Sequence, residues 1–371
     1  RLMAAKKLNL PQVPVVILDH LSDAQKRAYI IADNKLAENA GWDEEILANE
    51  LHDLKEENFD LDLIGFEDQE LEKLFANLYE DGEQKEEEIP EIEENPISKS
   101  GDIWLLGDHK LICGDSCKIE TYQLLLENEL ADMTFTDPPY NVDYGNTMKD
   151  NLIGKKNSKT GKEYKNASGQ RTILNDNLGS DFPKFLLDSC SNILEFTKGA
   201  CYICMSSSEL HTLQKAFRDA GGKWSTFIVW AKNHFTLGRS DYQRQYEPIL
   251  YGWKEKNDHY WCGDRNQSDV WYFNKPNKSD LHPTMKPVEL CKRAILNSSK
   301  TDDIILDPFG GSGSTLIAAE QVKRRCRMIE LDQKYVDVII KRWQNLTSKK
   351  ATHSQSGEAF DDILKKVNAK K

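Results

Sequence analysis

Two short stretches carry residue types that could do chemistry. The first is MTFTDPPYN, in which an apolar run ends in Asp137, Pro138, Pro139 and Tyr140. Such a turn is rigid, and it holds one carboxylate beside one aromatic ring. Asp-Pro is also a common turn starter, and a tyrosine can simply cover the core, so the turn alone leaves both readings open. The second stretch is DPFGGSGSTL, from Asp307 to Leu316, which follows an apolar strand and opens a helix. Gly310, Gly311 and Gly313 let the backbone approach a ligand, and the helix N-terminus offers free N–H groups to a negative group such as a carboxylate. Many nucleotide-binding folds share a glycine loop of this kind. The next strand ends in IELD, which places Glu330 17 residues beyond Gly313. An acid there suits the paired hydroxyls of a ribose. Asp115 closes LICGD in the same way. In open parallel sheets, ligands bind outside the carboxyl ends of the strands. If these strands share one sheet, four acids and the glycine loop line one crevice, which would hold a ribose-bearing cofactor beside the Asp-Pro-Pro-Tyr turn.

The elements that must position these residues are legible as alternating strands and helices. DIWLLGDHKLICGDS reads as two strands joined by a tight Gly-Asp turn. ADMTFTD, ACYICMS and FIVWAK are further strands, with helices FLLDSCSNIL and SELHTLQKAFRDAG between them. Strand DIILD, the glycine loop, helix STLIAAEQV, strand RCRMIELD and helix QKYVDVIIKRWQNL follow. This alternation indicates an α/β fold with a mostly parallel sheet.

Size and composition set the outer bounds. With 371 residues the chain can form two domains and a substantial core. No apolar run reaches membrane-spanning length, so no membrane partner is expected, and a cytoplasmic location is the default. The eight cysteines are scattered, which argues against a disulfide framework. Cys201 and Cys204 form a CxxC in mid-strand with no second pair at zinc spacing, so core packing is expected and no metal site. The net charge of −12 is unevenly placed: residues 1–79 carry −9, 80–95 carry −8, and 96–371 carry +5. A polyanionic partner is therefore admissible for the larger part of the chain.

With DPPY followed downstream by DPFGGSGST, the sequence resembles the S-adenosylmethionine-dependent DNA methyltransferases that act on exocyclic amino groups. The catalytic motif precedes the cofactor motif, as in the permuted β-type of that family. LICGDS, QSDVWYF and HPTMKPVEL fit the same pattern, and the likeness spans roughly Gly101 to Leu346. It implies a Rossmann-like methyltransferase sheet with helices on both faces, preceded by a small, mostly helical α+β fragment. It also implies S-adenosylmethionine as cofactor and double-stranded DNA as partner.

The resemblance assigns roles residue by residue. Asp137 and the carbonyl of Pro138 would accept the N–H groups of a target amine, with Pro139 keeping the turn rigid. Tyr140 would stack on a flipped base. Asp307, Phe309, Gly310, Gly311, Ser312, Gly313 and Thr315 would surround the methionine part of the cofactor. Glu330 would take the ribose hydroxyls, and Asp115 and Ser116 would lie near the adenine. Thr284 and Lys286 would help to hold the methionine carboxylate, with Met285 standing where the family more often has Gln, and His282 would position their loop. No Pro-Cys dipeptide occurs, unlike the cysteine-dependent ring-carbon methyltransferases.

For DNA contact, the Lys- and Asn-rich stretch with Lys155, Lys156 and Lys162 reads either as a basic closing loop or as a solvated insertion. Lys232, Arg239, Arg244 and Arg265 are further candidates. Residues 1–75 resemble the later part of a ParB/sulfiredoxin-like domain. Only the last residue of that family's phosphate-binding motif could stand at Arg1, so an accessory DNA-associated or scaffold role is expected of this part. The organisation is then a ParB-like portion over 1–78, an acidic linker over 79–100, a methyltransferase domain over 101–350 and a tail over 351–371. The tail's apolar face suits docking on the domain, pairing with a second copy as a homodimer, or a frayed terminal helix. Within the family that the sequence resembles, DPPY is commoner in adenine N6 enzymes than in cytosine N4 enzymes, so the resemblance implies adenine. The rival readings are a DNA-binding partition factor with a decayed methyltransferase fold, and a nicotinamide oxidoreductase using the glycine loop.

Overall fold

The computed structural model describes residue 12 and residues 90–141, 177–236, 241–263, 267–274 and 285–368. The chain divides into two compact units, Arg1–Glu67 and Asp68–Lys371, and the described elements belong to the second.

Ten strands form one sheet in the order β10-β1-β2-β9-β8-β3-β4-β6-β5-β7. They are β1 (Ile103–Leu106), β2 (His109–Cys113), β3 (Met133–Thr136), β4 (Ala200–Cys204), β5 (Gly222–Thr236), β6 (Arg244–Lys254), β7 (Val270–Tyr272), β8 (Ile304–Asp307), β9 (Arg325–Glu330) and β10 (Thr352–His353). The centre, β2-β9-β8-β3-β4, is parallel throughout. Antiparallel pairs flank it, β1 on β2 at one side and β6 on β4 at the other.

Helices cover both faces of that centre. On one side lie α1 (Ile119–Leu126), α2 (Phe182–Phe196) and α3 (Leu210–Asp219); on the other lie α4 (Val288–Ser298), α5 (Ser314–Gln321) and α6 (Gln333–Thr347). The strand sequences show why. Parallel strands covered on both faces read as near-continuous apolar runs, and Met133–Thr136 and Ile304–Asp307 are buried along their whole length, with Thr134, Thr136 and Asp307 as buried polar members. Side chains still alternate between the two layers: Met133 and Phe135 join the core under α4–α6, while Ile304 and Leu306 join the core over α1. The same alternation separates Cys201 from Cys204, which point into opposite cores. They cannot share a metal, and all eight cysteines are free thiols.

Two peripheral segments are tied to this unit. In the final part of the acidic stretch Ile92 and Ile97 are buried, and Asp337 of α6 accepts the N–H groups of Ile97 and Ser98 at 2.8 and 3.2 Å. The stretch read as linker therefore ends before Ile97, because two buried apolar side chains and a buried carboxylate fix it. The tail forms α7 (Phe360–Asn368), and Ile363, Leu364 and Val367 pack on the core under α4–α6. Phe360 is fully buried and meets Trp104 of β1 edge to face at 5.3 Å. Of the three fates open to the tail, the described residues take docking on the domain. Replacing Phe360 with Ala should lower unfolding stability by about 3 kcal/mol, the usual cost of removing a buried aromatic ring. Urea denaturation measures this, and a frayed helix would instead give a change below about 0.5 kcal/mol.

Candidate active site

Parallel pairing turns the carboxyl ends of β2, β9, β8 and β3 to one edge of the sheet. Their registers set Cys113 beside Glu330, Asp307 beside Met328, and Thr134 beside Leu306. Asp115, Glu330, Asp307 and Asp137 thus leave four successive strands along one crevice. The closest link is between the two motifs. The hydroxyl of Thr136, one residue before Asp137, donates to Asp307 Oδ1 at 2.7 Å.

The glycine loop is shaped by what lies behind it. A first side-chain carbon at Gly310 would come within 2.8 Å of the Met328 side chain and 3.3 Å of the Ile329 carbonyl, so glycine lets the loop cross β9 in close contact. Gly313, in the left-handed region at φ +85°, caps α5 without a side-chain hydrogen bond. Arg342 of α6 supports the loop from below by donating to the Ser312 carbonyl at 3.1 Å. A side chain added at Gly311 would meet only one atom, at 4.0 Å, so this part of the loop faces open space.

Two acids under the loop are held by backbone N–H groups. Glu330 Oε2 accepts from Gly311 at 2.7 Å, and Oε1 accepts from Asp332 at 2.8 Å. Asp307 Oδ1 also accepts from Phe309 N at 3.1 Å. Burial pushes the Asp307 carboxyl up to about 6 and Glu330 up to about 7, against these hydrogen bonds, which favour the charged form. Glu330 keeps lone pairs for further donors, and it lies one strand from Asp115 and the buried Ser116. The crevice therefore fits a ligand with vicinal hydroxyls at Glu330 and a carboxylate at the uncapped N-terminus of α5.

Tyr140 and Lys286 converge on Asp137. Lys286 Nζ donates to Asp137 Oδ2 at 2.6 Å, and the Tyr140 hydroxyl donates to Oδ1 at 2.6 Å. Lys286 Nζ also donates to the Tyr140 oxygen at 2.9 Å and lies over that ring, 5.1 Å from its centroid. Burial pushes the Asp137 carboxyl up, against the pull of the Lys286 ammonium. Burial alone would discharge Lys286, but Asp137 and Glu247 outweigh it and raise its pKa.

Three of these side chains have partners within the protein that the sequence did not show. Lys286, expected at a methionine carboxylate, pairs with Asp137 and Glu247, whose side chains are 25% and 20% exposed. Thr315 is turned inward, 3% exposed, with its hydroxyl on Asp307. Lys232, expected to face DNA, has a side chain only 8% exposed and pairs with Glu247. Arg244 remains exposed at the start of β6. Thr284, His282, Lys155, Lys156, Lys162, Arg239 and Arg265 lie outside the described residues. Glu247 was not singled out by sequence reasoning. Its signal was an acid opening the apolar strand YEPILYGW, across the β5–β6 ladder from the apolar FIVWAK that ends in Lys232.

These features meet in one family. The family model described as DNA methylase matches residues 131–342, more than half of the chain, and the chain belongs to that family. The model of a ParB-methyltransferase HTH domain matches residues 45–100. The type II methyltransferase M.HpaI of Haemophilus parainfluenzae is 29% identical over 264 residues, which cover 63% of this chain and 74% of that protein. The DNA adenine methyltransferase YhdJ of Escherichia coli strain K12 is 26% identical over 247 residues, covering 58% and 76%. The solved M1.HpyAVI–SAM complex has 21% identity and a TM-score of 0.45, covering 62% of this chain and 98% of that one. Among the described residues, no helix is long and apolar enough to cross a membrane.

The raised carboxyl of Glu330 has a consequence for stability. Between its ordinary 4.5 and about 7, the folded protein keeps a proton that the unfolded chain releases. Its contribution is therefore full below about 4.5 and is lost as pH rises to about 7. Urea midpoints of the ligand-free protein should fall from pH 5 to pH 8, and Glu330→Gln should flatten that fall, leaving the smaller part due to Asp307. Equal slopes in the two proteins would contradict the assignment.

Proposed function

We propose that the chain transfers a methyl group from S-adenosylmethionine to the N6 amino group of an adenine flipped out of duplex DNA, at a specific site. The observation that carries this reading is the 2.7 Å bond between Thr136 and Asp307, which joins the strand end before the Asp-Pro-Pro-Tyr turn to the strand end before the glycine loop. A transfer between two substrates needs two adjoining sites with the reacting atoms held in line.

Glu330 would accept the ribose hydroxyls, Asp115 and Ser116 would border the adenine, and the loop from Phe309 to Gly313 would back the methionine part. When bound, the sulfonium supplies an electrophilic methyl group. The chain's own residues prepare the acceptor. An exocyclic amine is a poor nucleophile, because its lone pair is delocalised into the ring. Asp137 and the Pro138 carbonyl accept its two N–H bonds, favour a pyramidal nitrogen and aim the lone pair. Pro139 adds rigidity, and no covalent intermediate with the protein is required. The base cannot reach this edge while stacked in a duplex, so it must be extruded. Tyr140 replaces part of the lost stacking, and its hydroxyl bond to Asp137 fixes the ring.

The adenine assignment rests on the DPPY motif and on relatives such as YhdJ, whose name states adenine. The ParB-methyltransferase HTH match at 45–100 supports an accessory DNA-associated role for the front of the chain. We place the ParB-like portion at 1–78 and the methyltransferase domain at 101–350, with Ile97 and the tail helix packed on its core, and assign DNA contact to Arg244 and the basic stretch at 155–162.

Incubation with labelled S-adenosylmethionine and unmethylated DNA, followed by digestion to nucleosides, should yield N6-methyldeoxyadenosine. Asp137→Ala should reduce labelling by about 10²-fold or more, as when one preorganised polar group of an active site is removed. N4-methyldeoxycytidine would overturn the adenine assignment, and undiminished labelling by Asp137→Ala would overturn the site.

A further inference from the structure

The carboxylate expected to receive the target amine is already occupied. Each oxygen of Asp137 has a short partner, the Lys286 ammonium on one and the Tyr140 hydroxyl on the other, both at 2.6 Å. An incoming N–H must compete with a charged donor, and charge-assisted bonds are roughly twice as strong as neutral ones. A second carboxylate stands within reach of the same ammonium. Glu247 Oε2 lies 3.1 Å from Lys286 Nζ and 3.2 Å from the Tyr140 oxygen, whose single proton points to the nearer Asp137. Behind it, Lys232 pairs with the other oxygen of Glu247. The sheet accounts for this placement. Glu247 of β6 is opposite Trp230 of β5, and Lys232 is two residues beyond Trp230, so all three point to one face. The Lys232 ammonium lies 4.8 Å from the Trp230 ring centroid.

We propose that Glu247 is a positioning residue of the transfer reaction. Held by Lys232, it shares the Lys286 ammonium with Asp137, keeps the charge around that carboxylate at zero, and offers the ammonium a second seat when the target amine arrives.

Charge balance is the first argument. Asp137 and Glu247 are matched by Lys286 and Lys232, and Tyr140 stays neutral, because burial and the two carboxylates raise its hydroxyl well above its ordinary range. A methyl donor carrying a positive sulfur would be repelled by an unbalanced ammonium in a partly buried site. Geometry is the second. Lys286 Nζ is 2.6 Å from one carboxylate and 3.1 Å from the other, so exchange needs only a rotation of its side chain. Its backbone remains fixed, with the carbonyl accepting from Ser314 Oγ at 2.9 Å at the start of the glycine-loop helix. Lys286 thus links the loop to the turn, and Glu247 governs which carboxylate it favours.

This inference rests on the methyl-transfer reading, and its test separates the two. Calorimetry measures the binding of S-adenosylmethionine, a cation, and of S-adenosylhomocysteine, its neutral thioether product. Glu247→Gln leaves one uncompensated positive charge and should weaken the cation relative to the thioether by about tenfold, the scale of one charge several ångströms away in a partly buried site. Lys232→Met leaves one negative charge and should shift the same ratio the opposite way. At saturating methyl donor, Glu247→Gln should also lower kcat by about 10-fold or more with little change in KM for DNA, because the altered charge acts at the donor and the reacting amine and not on the DNA backbone. An unchanged ratio, or a shift of the same sign in both variants, overturns the proposal. If Glu247→Gln does not fold, the sign seen in Lys232→Met alone supports or overturns it. Wild-type protein that binds neither ligand overturns the methyl-donor reading, and this inference with it.

Discussion

Strand β8 pairs in parallel with β9 on one side and with β3 on the other, and most of the site's geometry follows from that pairing. Because the three strands run the same way, their last residues meet at one edge, although Asp137 and Asp307 are 170 residues apart in the chain. A reversed β3 would carry its turn to the opposite edge of the sheet. Helices packed on both faces then leave that edge as the place where polar groups can reach a ligand. The hydrogen bond from Thr136 to Asp307 locks the two strand ends at the level where the chain leaves the sheet.

Electrostatics completes what topology begins. Around the glycine loop, carboxylates are held by backbone N–H groups: Glu330 by Gly311 and Asp332, and Asp307 by Phe309. Around the Asp-Pro-Pro-Tyr turn they are held by ammonium groups: Asp137 by Lys286, and Glu247 by Lys232 and Lys286. Neutral donors leave the first pair with raised pKa values, near 6 and 7, whereas two cations drive Glu247 down to about 2 in spite of its burial. The two halves of the crevice therefore differ in character. One suits uncharged hydroxyls, and the other is a balanced set of charges that can rearrange when a base enters.

Local patterns made much of this legible in the sequence. The glycine loop, the acids at strand ends and the apolar strands are each defined within a dozen residues, and their order along the chain implied a shared edge. Pairwise commitments of long side chains were not legible. Nothing local to Lys232 says that it bends inward to Glu247, since that depends on the β5–β6 register. Nothing local to Lys286 says that it will choose Asp137, 149 residues away. The inward hydroxyl of Thr315 was hidden for a related reason: the first turn of α5 brings it to Asp307, and nothing local to the loop shows that contact. The tail helix showed an apolar face without naming its partner, and Trp104 supplied the answer only in three dimensions.

A crystal structure with S-adenosylhomocysteine bound would test the central claim most directly, that one edge of the sheet serves both the methyl donor and the amine. The account predicts the ribose hydroxyls on Glu330, the amino-acid end along Phe309–Gly313, and the sulfur facing the Asp137 carboxylate across a gap wide enough for one methyl group and one amine. A ligand bound away from the glycine loop, or a sulfur separated from Asp137 by intervening protein, would contradict it.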